Sequence, residues 1–128
     1  MKKQRNSSAE KAAVPGEWLY LTKTGVCVRE IADAISVTCE TEIWEDAGVL
    51  EIVLSEKSSV DMEHVRINPK DELTRTFVKE AGYEEVFLVT FAPEEYTCVE
   101  KIMRQIMAVC GGMFCGDTED FLPVVRGE

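Results

Sequence analysis

From Val86 to Asp117 the chain reads VFLVTFAPEEYTCVEKIMRQIMAVCGGMFCGD, and this stretch restricts the fold more than any other. Val86 to Phe91 is almost continuously apolar, the pattern of a strand covered on both faces. Pro93, Glu94 and Glu95 then open a helix, because proline suits a first helical turn and acids favour its positive end. Val99, Ile102, Met103, Ile106, Val109 and Cys110 recur at helical spacing and form the predicted buried stripe, with Glu100, Lys101, Arg104, Gln105 and Ala108 turned outward. Gly111-Gly112 stops the helix, and Met113-Phe114-Cys115 is long enough only for one more strand. Two strands joined by a helix in this way are predicted to run parallel to each other, provided they share a sheet.

The rest of the chain supplies partners for that unit. Trp18 to Thr22 reads as a first strand, and Thr24-Gly25 as the start of a helix that buries Cys27, Val28, Ile31, Ala32 and Ile35. The pattern then switches to period two. Val37, Cys39, Thr41 and Ile43 alternate with Thr38, Glu40, Glu42 and Trp44, and Leu50, Ile52 and Leu54 resume the alternation after the turn residues Glu45-Asp46-Ala47-Gly48. This is a hairpin, followed after Ser55–Ser59 by a third strand over Val60 to Ile67, with Met62 and His64 on one face and Val65 and Ile67 on the other. Asn68-Pro69 is expected to cap and open a helix with the stripe Leu73, Phe77, Val78 and Ala81, ended by Gly82. The fold class is therefore α+β: a mixed, mainly antiparallel sheet with two to three helices packed largely on one face. The element order contains β-α-β-β-α-β, so a ferredoxin-like arrangement is allowed in part.

Charge limits the partners. The 24 acidic residues outnumber 14 Lys and Arg, for a net charge of −10. Residues 1–16 nevertheless carry Lys2, Lys3, Arg5 and Lys11 against Glu10, so the surplus of acid lies wholly in the remainder. Such a body repels a phosphate backbone, and Arg66, Lys70 and Arg75 are scattered among acids, which argues against a nucleic-acid role. Residues 1–15 read as a flexible N-terminal tail and 16–128 as a single α+β domain. The basic start is followed by Asn6-Ser7-Ser8 with no apolar run, and no window is apolar enough to span a bilayer, so a cytoplasmic protein without membrane contact is expected.

Chemistry is sparse. Cys27, Cys39, Cys98, Cys110 and Cys115 contain no C-x-x-C, and His64 is the only histidine, which is too few ligands at zinc spacing. The five thiols are expected to be free and mostly buried. Cys110 and Cys115 have no nearby base to activate them as a redox pair. Asp117-Thr118-Glu119-Asp120 lacks the order and distal Glu of a calcium loop, and Gly111-Gly112 follows a helix where a phosphate loop precedes one. No catalytic residue, metal or cofactor is assigned, and the chain is not read as an enzyme; that would require His64 or a cysteine in a cleft beside a carboxylate.

Binding is the better-supported class. Glu40, Glu42 and Trp44 alternate onto one face of the hairpin, with Glu45 and Asp46 in its turn. A row of carboxylates beside one tryptophan suits a basic protein, the acids steering encounter and the ring anchoring it. In general class, though through no matched motif, this profile is similar to that of bacterial immunity proteins, small acidic inhibitors of toxin enzymes. The expected function is a protein-binding or inhibitory module acting on a basic protein. The alternative is a small regulatory or ligand-binding domain, distinguished by an apolar pocket between helix and sheet. The sequence sets no oligomeric state.

Overall fold

Residues 15–126 are described in the computed structural model, so the tail expected over 1–15 lies, Pro15 apart, outside the described residues. The elements are β1 (Glu17–Thr22), α1 (Val28–Ala34), β2 (Glu40–Trp44), a 3-10 turn (Glu45–Ala47), β3 (Val49–Ser55), β4 (Ser58–Val65), α2 (Glu72–Ala81), β5 (Glu85–Thr90), a second 3-10 turn (Pro93–Glu95), α3 (Tyr96–Cys110), β6 (Met113–Gly116) and β7 (Val124–Arg126). Among the described residues the strands form one seven-stranded sheet in the order β2-β3-β4-β5-β1-β6-β7. Every neighbouring pair is antiparallel.

The strand–helix–strand expectation holds with one strand interposed. β5 and β6 both run antiparallel to β1, which lies between them, so they are parallel to each other. By the same geometry β1 and β4 are parallel, with β5 between them. These two interleaved split β-α-β units form the ferredoxin-like part of the fold, with β2–β3 added at one edge and β7 at the other.

Burial follows from strand periodicity. Trp18 and Tyr20 face α1 and α3 with Phe87, Val89, Leu50, Ile52, Val60, Met62 and Phe114. Leu19 and Leu21 face the opposite side with Val86, Met113, Cys115 and Phe121, where Val78 of α2 closes a second core. Two helices therefore cover one face and the third covers part of the other. Trp18 stacks on Phe114 with ring centroids 4.5 Å apart, and its Nε1 donates to the Pro15 carbonyl at 3.0 Å. Tyr20 donates its hydroxyl to the Gly111 carbonyl, and burial raises its pKa. The next residue must be glycine: Gly112 has φ +95°, and a Cβ there would lie 2.3 Å from the Leu21 carbonyl oxygen.

Several local expectations are corrected. Val37 is 96% exposed, because Ser36–Cys39 is held in a turn by bonds to the Asp33 and Ile35 carbonyls before β2 begins. α1 starts at Val28, not at Thr24-Gly25; Cys27 is its N-cap and donates its N–H to Glu30 at 3.3 Å. Asn68 does not cap α2. Its side chain accepts from the Lys70 N–H at 2.9 Å, and the true cap is Asp71, which accepts from the Thr74 N–H at 3.0 Å. Leu73 and Val109 are exposed, and Met107 joins the buried stripe of α3. The cysteines are free, but only Cys115 is buried; Cys27 and Cys98 are exposed, one at a cap and the other on the outer side of α3. Burial pushes the Cys115 thiol up to about 12.

Candidate functional site

The second face of the sheet is covered only in part. α2 and the Phe121 turn lie over β1, β5 and β6, while β2 and β3 contribute nothing to that core. The bare part displays Glu40, Glu42 and Trp44 from β2, Val49, Glu51 and Val53 from β3, and Asp61 and Glu63 from β4. Their intervening neighbours Ile43, Leu50, Ile52, Val60 and Met62 pack on the α1/α3 side.

Register sets these side chains in rows. Glu42 lies opposite Glu51, Glu51 opposite Asp61, and Asp61 opposite Thr90. The next row is Trp44, Val49, Glu63 and Leu88. Among the described residues the three ion pairs lie elsewhere, so Glu40, Glu42, Glu51, Asp61 and Glu63 face solvent without a cation. Like charges directly opposite each other on a sheet are destabilising. Trp44 is 48% exposed, and with Val49, Glu51, Asp61, Glu63, Leu88 and Thr90 it rims a hollow of about 300 Å³.

The structure thus groups Glu40, Glu42 and Trp44 as the sequence predicts, and adds Glu51, Asp61 and Glu63. It does not bring Glu45 to this face. The Glu45 carboxylate turns back to the Arg29 guanidinium of α1 at 2.9 Å, tying the hairpin tip to the helix, and holds the Arg29 pKa up. Asp46 is exposed in the same 3-10 turn, beside the face and not on it. Alternation between Leu50 and Ile52 places Glu51 outward, but its alignment with Glu42 and Asp61 depends on two hairpin registers that no single strand encodes.

A second cluster surrounds His64. Its ring stacks on Phe87 with centroids 4.5 Å apart, and its Nε2 lies 2.7 Å from Glu85 Oε1. The other Glu85 oxygen accepts the Gly25 N–H at 3.0 Å; that bond first, and His64 second, hold the carboxyl below its ordinary range. The pair borders a cavity of about 650 Å³ also lined by Val65, Arg66, Ile67, Pro69, Arg75, Glu84 and Val86. No serine, threonine, cysteine or tyrosine is among these wall residues. Nothing in the sequence points to the His64–Glu85 pair, whose members are separated by 21 positions and meet only through the β4–β5 register.

No helix among the described residues is long and apolar enough to cross a membrane, and none of their His, Cys, Asp and Glu side chains group as a metal site. Comparison with known proteins finds no matching family model, no matching curated protein and no matching solved structure.

Proposed function

We propose that this chain is a cytoplasmic, non-catalytic binding or inhibitory module, immunity-protein-like in class, that receives a basic protein on the bare half of its sheet. One observation carries the reading: Glu42, Glu51 and Asp61 stand in direct register beside Trp44, and among the described residues none of the three has an ion-pair partner. Acids placed anywhere on the surface would serve solubility, whereas stacking them across three strands adds a repulsion that a cationic partner removes. Trp44, Val49 and Leu88 supply the apolar contact that such an encounter needs for residence time.

The test begins with affinity capture from the native host, followed by stopped-flow kinetics on the captured protein. The reading expects a basic partner whose association slows about tenfold or more in a Glu42→Lys/Asp61→Lys variant and loses most of its salt dependence. Trp44→Ala should act chiefly on dissociation. An acidic partner, or unchanged kinetics in the charge-reversed variant, would overturn it.

A further inference from the structure

The cavity beside His64 exists because two paired strands part. The β4–β5 ladder ends at Val65 and Val86; beyond it one chain leaves through Arg66–Asp71 into α2, and the other returns from Gly82 to Glu85. The fork between them is the 650 Å³ space, within the range of small-molecule sites. Val65, Ile67, Pro69 and Val86 give it an apolar side.

Its polar groups are unequally engaged. Glu85 accepts from both His64 and Gly25, and Glu84 accepts the Thr24 hydroxyl, so both carboxylates already have donors from the protein. The arginines do not balance this. Arg75 donates one N–H to the Pro69 carbonyl at 3.0 Å, and Arg66 makes no side-chain hydrogen bond or ion pair among the described residues. Arg29 and Arg104, by contrast, each hold a carboxylate within 2.9 Å. A guanidinium offers five donors in a planar fork suited to carboxylate or phosphate oxygens. In a chain with 24 acidic residues, two arginines left without a carboxylate at one cavity form a localised surplus of donors.

We propose that this fork binds a small organic molecule carrying one oxyanion, a carboxylate or a phosphate, held by Arg66 and Arg75 with its apolar body against Val65, Ile67 and Val86. The site is separate from the acidic sheet face, and either can fail without the other.

Amide and arginine-side-chain NMR titrations with phenyl phosphate and with phenylacetate, using benzyl alcohol as the neutral control, test the assignment. Saturable shifts at Arg66, Ile67, Arg75 and Glu85 with at least one anion are expected, with benzyl alcohol at least tenfold weaker. A response to phenyl phosphate alone identifies a phosphate site, and a response to phenylacetate alone a carboxylate site. Arg66→Gln/Arg75→Gln should weaken binding at least tenfold while its amide spectrum away from the cavity stays native. Absence of a saturable shift at millimolar anion, equal binding of benzyl alcohol, or undiminished binding by the natively folded double variant would overturn the proposal.

Discussion

The two halves of the sheet's second face are made from the same kind of strand and end in opposite conditions. Over β1, β5 and β6 that face packs Leu19, Leu21, Val86, Met113 and Cys115 into one apolar core with Val78 of α2 and Phe121. Over β2, β3 and β4 the equivalent positions are mostly carboxylates. The difference is written in the strands: β1 runs Trp-Leu-Tyr-Leu without a polar break, whereas β2 alternates Glu-Thr-Glu-Ile-Trp. Continuous apolarity marks the strand that helices enclose on both sides, and alternation marks the one that leaves a face open.

The sharpest way to break this comparison is to place a charge in each half. Leu21 is fully buried. Leu21→Asp should abolish folding, since an unpaired carboxylate in that core costs more than the few kcal/mol a domain can lose. Glu42→Lys on the open half should leave stability within about 0.5 kcal/mol. Chemical denaturation followed by circular dichroism checks both, and equal damage would mean the open half is not open.

Gly112→Ala probes the tightest point of the covered half. Positive φ and collision with the Leu21 carbonyl together should cost about 2–4 kcal/mol, read from a shift in urea midpoint. A midpoint equal to wild type would show that the β6 end of the sheet yields easily.

On the opposite face of the sheet, at the start of β5, Glu85 makes stability depend on pH. Its folded pKa lies below the ordinary value of 4.5, so its contribution is complete above that pH and drains away as pH falls through the folded value. Glu85→Gln should flatten the loss of stability on acidification below about pH 4.5. Parallel slopes for variant and wild type would remove the role of the Gly25 and His64 contacts.

The smallest effect belongs to the open half. Glu51→Thr relieves repulsion from Glu42 on one side and Asp61 on the other, and should raise stability by a few tenths of a kcal/mol at low salt. The gain should disappear in molar salt, where screening already removes the repulsion. A gain that salt leaves unchanged would point to packing and away from charge.

Much of this contrast could be read from the chain. The hairpin and the long helix with Val99, Ile102, Met103 and Ile106 inward follow from periodicity, and the burial of Val86, Phe87 and Val89 on two faces from a continuous apolar run. The failures are local competitions that periodicity does not see. Val37 continues an alternating pattern but is captured by the turn that ends α1, and Asn68 closes its own turn three residues before Asp71 caps the helix. Glu45 follows the face as a turn residue next to Trp44, yet the 3-10 twist there aims it at Arg29. Of the candidate site, one strand's share was legible; the facing rows on β3 and β4, and the fork holding Arg66 and Arg75, arise from pairing between distant segments.

The position of β1 also has a consequence for synthesis. Among the described residues Trp18–Thr22 pairs only with residues 85–90 and 113–116, so this strand, with Trp18 to Leu21 all buried in the folded protein, leaves the ribosome well before either neighbour exists. β2, β3 and β4, joined by short turns, can assemble meanwhile, while β1 waits as an exposed sticky segment. Nascent chains stalled before residue 85 should therefore be the chaperone-dependent and aggregation-prone species.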